Sequence, residues 1–254
     1  MFERLRARGF DILARNHAEA ILAVDFPEQA GELVSALEEF TIPLAEIVAS
    51  GGGEAPATQR LRRRLADLGW AKHNFMLETR IDGVTRAAFS HEIDHVRRTP
   101  SGRIALEIEW NNKDPFFDRD LENFQRLHAL SAISLGIVVT RGAQMQAVLE
   151  ERIARFLEAR GITRAEDLGG LGMKRRTDRQ MAALARRIGR GEPFAPAFAR
   201  VFMSDKFGAA STHWAKLEAR VARGVGNPCP LVLIGLPAEA LSEAEAYSAA
   251  RPLL

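Results

Sequence analysis

The chain has 254 residues, 46% of them hydrophobic, and a formal net charge of +2 at neutral pH. This predicts one large domain, or a domain with an appended subdomain, around a substantial core. There is no run of about 18 apolar residues, which excludes a membrane-spanning helix, and the charged segment MFERLRARGF is not typical of a secretory signal. The single cysteine, Cys229, excludes an internal disulfide and favours a reducing cytoplasm.

The first 58 residues are predicted to contain one strand, one helix and a short element that is a helical turn or a strand. Their apolar spacing and their Pro and Gly residues guide the assignment. The predicted order is a polar lead-in over 1–16, a strand over Ala18–Phe26 ended by Pro27, a helix over Glu28–Glu39, a helical turn or short strand over 42–49, and a loop over 50–58.

A second amphipathic helix is predicted over Gln59–Leu68, because Leu61, Leu65 and Leu68 recur at helical spacing. It carries the densest basic run of the chain. This run fits either a solvated helix face or a set of DNA phosphate contacts, which add affinity without sequence information. Its members are Arg60, Arg62, Arg63 and Arg64.

Two strands over Phe75–Ile81 and Val84–Phe89 flank Asp82-Gly83, a strong signal for a β-hairpin. The second strand leads directly into the segment Ser90–Asp114, SHEIDHVRRTPSGRIALEIEWNNKD, which predicts another hairpin. We therefore expect a meander of about four antiparallel strands over 72–111.

The second hairpin is rich in carboxylates. If it folds about the Pro100–Ser101 bond, Asp94 lies opposite Glu107 and Glu92 opposite Glu109, with all four on one face. Opposed like charges destabilise a sheet by up to about 1 kcal/mol per pair, so a cation should offset them. Oxygen ligands favour Mg²⁺. The alternative is a solvated strand face with alternating charge.

The remainder predicts a crossover unit followed by mostly helical structure. A helix followed by an apolar, fully buried strand predicts a mixed β-sheet flanked by helices, an α/β (α+β) fold. The predicted elements are a helix over Pro115–Ala132, a strand over Leu135–Thr140, a helix over Ala143–Leu157 whose apolar stripe is core or interface, an irregular stretch over Gly161–Arg176, a helix over Asp178–Ile188, a helix or strand over Ala197–Met203, a loop over Ser204–Thr212, a helix over His213–Ala222 with Thr212 as N-cap, a strand over Pro230–Leu236, and a loose helix in Pro237–Leu254.

Several positions are candidates for binding an anionic polymer. Arg141, at the end of the buried strand, could read guanine through O6 and N7, or be an ordinary surface arginine. Thr212 and His213 open a helix whose free N–H groups could hold a phosphate, and Lys206 lies in the preceding loop. A basic stretch is either a DNA-backbone arm or a solvated face; it comprises Lys174, Arg175, Arg176, Arg179, Arg186 and Arg187.

Asp94 followed by Glu107-Ile108-Glu109 on a hairpin resembles the motif of the PD-(D/E)XK nucleases. Further segments make the chain similar to the BglII-type (BglII/BamHI/BstYI-like) restriction endonucleases from about residue 18 to 237. These segments are Trp110-Asn111-Asn112-Lys113-Asp114, Phe116–Phe124, Phe207–Trp214 and Arg223–Pro230.

The resemblance implies a homodimeric type II endonuclease of a prokaryotic, cytoplasmic restriction-modification system, which cuts palindromic double-stranded DNA with Mg²⁺. Asp94 and Glu107 match the metal-binding pair. Glu109 occupies the position that is Lys in most relatives, Gln in BglII and Glu in BamHI, as general base or extra metal ligand. Together with Lys113 it would position or deprotonate the attacking water.

The resemblance also assigns Asn111 and Asn112 to positions that reach bases in the major groove. Glu78 lies at about the distance of a further acidic residue in BamHI. The implied organisation is a single restriction-endonuclease-like domain over 1–254. Its catalytic hairpin and core span about 72–141, and its recognition and arm elements span about 141–227.

Two other functions compete with this one. A DNA-binding protein of the same fold without cleavage activity is disfavoured because the acidic residues are intact. A metal-dependent enzyme acting on a small phosphorylated substrate is disfavoured because the sequence has no Gly-rich phosphate loop and no Rossmann pattern. Its basic residues are instead spread over several segments, as a long anionic ligand requires.

Overall fold

A six-stranded mixed sheet organises the chain, which the computed structural model describes over residues 1–49, 54–173 and 176–244. The strands are Asp11–Arg15 (β1), Ile42–Pro43 (β2), Ala71–Ile81 (β3), Val84–Thr99 (β4), Gly102–Glu109 (β5), Leu135–Arg141 (β6), Leu231–Leu236 (β7) and Leu241–Ser242 (β8). The helices are Glu3–Ala7 (α1), Ala18–Asp25 (α2), Pro27–Glu38 (α3), Leu44–Ala49 (α4), Pro56–Asp67 (α5), Phe116–Ala129 (α6), Ala143–Ala159 (α7), Asp178–Ile188 (α8), Phe194–Lys206 (α9) and Trp214–Ala222 (α10).

The strand order of the main sheet is β1-β7-β6-β5-β4-β3. The central strands β5, β6 and β7 are parallel, whereas β1, β4 and β3 pair antiparallel with their neighbours. Every residue of β6 and β7 is buried, as expected for parallel strands covered on both faces. The predicted mixed sheet and the strand–helix–strand crossover through α6 are therefore confirmed.

Helices cover both faces of the sheet and create two apolar cores. One core lies under α6 and α10, with Phe117, Leu121 and Trp214 among its side chains. The other lies under the N-terminal helices together with α7 and α9. Among the described residues, no helix is both long and apolar enough to cross a membrane.

The N-terminal region differs most from the prediction. Residues 1–16 are not a polar lead-in, because Phe2 and Leu5 are fully buried and β1 pairs with β7 at the sheet edge. The segment predicted as the strand Ala18–Phe26 is the helix α2. Its almost continuous apolar run has no clear period, so packing of Ala18 and Leu22 decides its conformation. Pro27 begins α3, a position that suits proline.

The hairpin predictions are largely correct. Asp82 and Gly83 both have positive φ, as a two-residue turn requires, and Ile81 pairs with Val84. The next strand is continuous over Val84–Thr99, so the meander has three strands rather than four. The pairs from His95–Leu106 to Thr99–Gly102 match a fold about Pro100–Ser101.

The C-terminal half follows the predicted order with shifted boundaries. The apolar stripe of α7 belongs to the core, since Met145, Leu149 and Ile153 are fully buried. The segment predicted as helix or strand is helical, and α9 extends into the predicted loop to Lys206. The irregular stretch contains a 3-10 helix over Ala165–Leu171.

The ends of three predicted segments also need correction. The loop assigned to 50–58 ends early, because α5 begins at Pro56, and 50–53 lie outside the described residues. The N-cap of α10 is His213 rather than Thr212. After Pro237 the chain forms a 3-10 turn and β8, and the rest of the predicted tail helix, 245–254, lies outside the described residues.

Candidate active site

Three carboxylates are buried together at the C-terminal end of β5. Glu107 and Glu109 are two residues apart and so share a face of the strand. Each is 3% exposed, and Asp120 of α6, the helix that crosses above them, is fully buried. The interpretation of this hairpin as a solvated face with alternating charge is therefore wrong.

Asp120 was not among the predicted site residues, although the sequence contains a signal for it. It lies three residues after Phe117 and four before Phe124, so it occupies the apolar stripe of α6 rather than its solvated side. A charged residue within such a stripe must face the interior and needs partners there.

Asp94 lies at the edge of this cluster. The β3–β4 pairing is irregular between Ile93 and Val96, and there the side chain of Asp94 meets Arg62 of α5 at 3.0 Å. The backbone N–H of Asp94 donates a hydrogen bond to the carboxylate of Glu107. The Asp94 side chain is one-third exposed, so it forms the solvent-facing side of the site.

Glu92 does not join the cluster, so the predicted patch of four carboxylates is wrong in one member. Glu92 pairs across the sheet with Asn74 and forms an exposed ion pair of 2.6 Å with Lys72. The β4–β5 pairing ends at His95, which leaves Glu92 without a position opposite Glu109.

Burial and mutual repulsion shift the acidity of the cluster. Burial raises the pKa of Glu107 well above its ordinary value, and the charges of Asp120, Asp94 and Glu109 raise it further. Burial raises the pKa of Glu109 to about 8, with Asp120 adding to the shift. The pKa of Asp120 is raised by burial even though the Arg119 guanidinium opposes the change.

Few groups compensate this negative charge. Arg119 lies 2.7 Å from Asp120 and 3.7 Å from Glu109, and Asn112 donates a 2.7 Å hydrogen bond to Glu109. Arg62, which pairs with Asp94, is shared with Glu54. When ionised, the four carboxylates face only two guanidinium groups, so a divalent cation would stabilise their charged forms.

The loop that follows β5 is tied to the loop that precedes α10. The backbone N–H of Thr212 donates to the carbonyl of Asn112 at 2.8 Å, and that of Asp114 donates to Ala210 at 3.0 Å. Lys113 forms a backbone bridge with Ser211 between them. The two segments that resemble the BglII-type endonucleases, EWNNKD and THW, therefore meet in space.

Arg141 holds this junction, and its burial is at odds with the predicted reading of guanine. It is fully buried, and its guanidinium donates to the carbonyl of Trp110, to Ser211 Oγ at 2.9 Å and to Gln146 Oε1 at 2.9 Å. It also lies over the ring of Phe207 at 4.7 Å. Each of its three guanidinium nitrogens is bonded within the protein, so the side chain positions the loop, and a contact with guanine would require these bonds to break.

The other residues predicted to contact DNA differ in how far they are buried. Thr212 is fully buried, and its hydroxyl has no hydrogen-bond partner among the described residues. His213 is half-buried, and burial lowers its pKa. Lys206 lies 5.6 Å from the ring of Phe202, and burial lowers its pKa too. Lys113 and Asn111 are exposed.

A cleft of about 240 Å³ opens between α5 and the end of β5. It exposes Asp94 and both asparagines of the loop on the same side of the molecule. Its lining comprises Glu54, Ala55, Thr58, Arg62, Asp94, Ile108, Trp110, Asn111 and Asn112. A ligand in this cleft would touch the carboxylate site and the loop asparagines together.

The basic segments are partly neutralised within the chain. In the run on α5, Arg60 pairs with Glu46 at 2.6 Å and Arg64 with Glu39 at 3.4 Å. In the predicted arm, Arg176 lies over the ring of Phe202 at 4.9 Å and is half-buried, so its side chain packs against the protein. Lys174 and Arg175 lie outside the described residues.

The positions of two further side chains, Glu78 and His91, bear on the candidate site. Glu78, a candidate from the resemblance, forms an exposed ion pair with Arg80 at 2.8 Å on β3 and does not join the cluster. His91 of β4 was missed by sequence reasoning and lies close to Glu107 and Asp120. No sequence pattern marks it, since only the packing of α6 brings it to the carboxylates.

A mixed sheet with a crossover helix and buried carboxylates at the end of a central strand is the architecture of a restriction-endonuclease core. The family model for the restriction endonucleases BglII/BglIII matches residues 10–236. The chain therefore belongs to this family and is a type II restriction endonuclease, a hydrolase that acts on DNA. A search of curated proteins gives no match.

Proposed function

We propose that this protein hydrolyses phosphodiester bonds in palindromic double-stranded DNA in a Mg²⁺-dependent reaction. It acts as a homodimer in the prokaryotic cytoplasm, as the endonuclease of a restriction-modification system. The observation that carries the proposal is the cluster of buried carboxylates at the end of β5, beside an open cleft that exposes Asp94 and Asn111.

The donor set fits a divalent metal. Asp120 Oδ2 is buried and accepts no hydrogen bond from the described residues, and burial raises the pKa of Glu107 and Glu109. Carboxylates in such surroundings are unfavourable without a cation. Asp94 and Glu107 would hold Mg²⁺, which when bound supplies an electrophile that stabilises the charge developing on the scissile phosphate.

Glu109 is the proposed general base. Burial raises the pKa of Glu109 to about 8 in the metal-free site, and a cation on the neighbouring Glu107 would favour the ionised form of Glu109, which is the form that accepts a proton. The 2.7 Å hydrogen bond from Asn112 and the nearby Arg119 hold its carboxylate in one orientation. Glu109 would then orient the attacking water and take its proton.

Lys113 receives a different role from the one predicted. Its backbone is fixed by the bridge to Ser211 and its side chain is exposed on the loop beyond the strand. We assign it to a phosphate of the DNA, and the proton-accepting role falls to Glu109. An exposed cation there adds affinity that falls with salt but no sequence information.

Recognition is assigned to the loop that follows β5. Asn111 is exposed in the cleft, and an asparagine amide can pair with adenine N6 and N7 in the major groove. The carbonyl of Asn112 accepts a hydrogen bond from the Thr212 N–H, and its side-chain amide donates to Glu109. Asn112 therefore links the loop that contacts the bases to the catalytic carboxylate. His213 and Lys206 are assigned to the DNA backbone.

A palindromic site is matched by a two-fold symmetric dimer with one active site per strand. The test is a plasmid digest by the purified protein with Mg²⁺ and with EDTA, followed by sequencing of the fragment ends and by sedimentation of the protein. We expect discrete Mg²⁺-dependent fragments whose ends share one palindrome, and a dimer mass. Binding of duplex DNA without cutting, on methylated and unmethylated plasmid alike, would favour a protein of the same fold that only binds.

A further inference from the structure

Three side chains from three elements converge behind the proposed Mg²⁺ pair: His91 of β4, Glu107 of β5 and Asp120 of α6. One ligand atom of each lies within 4.8 Å of the others. A coordination sphere with metal–ligand distances near 2.1 Å is about 4 Å across, so small side-chain rotations would place all three ligands on one ion.

Asp120 points to such a ligand independently of this spacing. Its Oδ1 accepts two hydrogen bonds from Arg119, at 2.9 and 2.7 Å. Its Oδ2 is buried and receives no N–H or hydroxyl donor from the described residues, and the neighbouring carboxyl of Glu109 can donate to Asp120 only when it is protonated. A buried carboxylate oxygen of this kind is unfavourable unless a cation or a donor meets it.

His91 lies against α6. The amide Nδ2 of Asn123 is 2.9 Å from Nδ1 and 3.0 Å from Nε2 of the ring. An imidazole nitrogen whose lone pair accepts an N–H cannot ligate a metal at the same time, so a metal on His91 would displace this amide from the nitrogen that it binds. The same contact orients the ring toward α6, the helix that carries Asp120.

We propose that His91, Glu107 and Asp120 form a second divalent-metal site, which takes a transition-metal ion such as Co²⁺ in preference to Mg²⁺. Mg²⁺ selects oxygen ligands, whereas an imidazole nitrogen beside two carboxylates suits a first-row transition metal. The site rests on the proposed function only through Glu107, which it shares with the Asp94–Glu107 pair.

The test is a calorimetric titration of the metal-free protein with Co²⁺ and, separately, with Mg²⁺, without DNA. We expect His91→Ala to lower the Co²⁺ affinity by at least about tenfold, as loss of groups around a metal does, and to leave the Mg²⁺ affinity unchanged. His73→Ala is the matched control, since His73 is on the neighbouring strand β3 and contacts Arg98 and Phe75 instead. It should change neither affinity.

If His91→Ala fails to fold, NMR spectroscopy of the Co²⁺-bound natural chain tests the second site. Bound Co²⁺ should give a strongly shifted imidazole proton signal in the NMR spectrum, which persists in His73→Ala and disappears in His91→Gln. Absence of that signal in the natural chain, or equal Co²⁺ affinity of the natural chain and His91→Ala, would overturn the second site.

These outcomes are separate from the fate of the proposed function. If the protein does not cut DNA but binds Co²⁺ through His91, the second site stands and the proposed function fails. If it cuts DNA with Mg²⁺ while His91→Ala leaves Co²⁺ binding intact, the proposed function stands and the second site fails.

Discussion

Two buried charged regions lie at the C-terminal ends of the neighbouring strands β5 and β6, and they are built in opposite ways. Arg141 is a buried cation whose three guanidinium nitrogens each donate to an acceptor and whose guanidinium lies over an aromatic ring. Glu107, Glu109 and Asp120 are buried carboxyl groups whose ionised forms carry more negative charge than their partners compensate. A satisfied buried charge fixes structure, whereas an unsatisfied one indicates a missing ligand.

The largest expected effect is on catalysis at the acidic region. Glu107→Gln keeps the shape of the side chain but removes a proposed metal ligand and its charge. We expect cleavage to fall by about 10³-fold or more, as when charge stabilisation of a transition state is lost, while specific DNA binding persists. Plasmid digestion and a gel-shift assay measure the two properties.

Glu78→Gln is the matched control, because Glu78 is an exposed carboxylate on the same sheet and is paired with Arg80. It should cut at the rate of the natural protein. Normal cutting by Glu107→Gln would show that the catalytic site lies elsewhere.

The next largest effect is on stability at the basic region. Arg141→Ala leaves a cavity and deprives Trp110, Ser211 and Gln146 of their donors, which should lower the free energy of unfolding by about 3 kcal/mol. Denaturant unfolding measures the change. Arg155→Ala, an exposed arginine of α7 paired with Glu151, should change it by less than about 0.5 kcal/mol. Equal effects of the two substitutions would refute the difference drawn between the two regions.

Replacing a carboxylate of the acidic region by an amide should raise the stability of the metal-free protein. Burial raises the pKa of Glu109 to about 8, so its cost to the metal-free fold grows as the pH rises and is complete above about pH 8. Measured there in EDTA, Glu109→Gln should raise the free energy of unfolding by about 1 kcal/mol. The same substitution should abolish cleavage, because the proposed general base is lost. Glu122→Gln, on the exposed side of α6, should leave both properties unchanged. Destabilisation of the metal-free protein by Glu109→Gln would contradict the unfavourable burial of these charges.

The smallest effect on stability is expected at the exposed end of the loop. Asn111→Ala should change the free energy of unfolding by less than about 0.5 kcal/mol, since the side chain is solvent-exposed. It should relax the choice of one base pair, with a discrimination loss of about 1–3 kcal/mol. Cleavage of a set of single-base variants of the site measures this, and unchanged discrimination would exclude Asn111 from base contact.

The sequence predicts well those features that short-range rules determine. The Asp82-Gly83 turn and the pairing about Pro100–Ser101 follow from turn chemistry and alternation, and the buried strand β6 follows from its continuous apolar run. These elements place Glu107 and Glu109 on one face. The confirmed family match extends this to the fold of most of the chain.

What the sequence does not predict is decided by packing between distant segments. Ala18–Asp25 has no distinct period, and its helical form depends on the core it covers. Arg141 has the polarity of a surface residue, yet the loops on either side supply enough acceptors to bury it. His91 joins the site only because α6 crosses the sheet above it. The spacing of residues along the sequence does not indicate which distant segments pack together.

The most direct test of the central claim is the thermal unfolding of the metal-free protein, without DNA, as Mg²⁺ is added. A ligand at 100 times its dissociation constant stabilises by about 2.7 kcal/mol, which for a chain of this size raises Tm by about 5–10 °C. We predict such a rise for the natural protein and none for Glu107→Gln. If saturating Mg²⁺ leaves the Tm of the natural protein unchanged, or raises both proteins equally, the buried carboxylates are not the metal receptor.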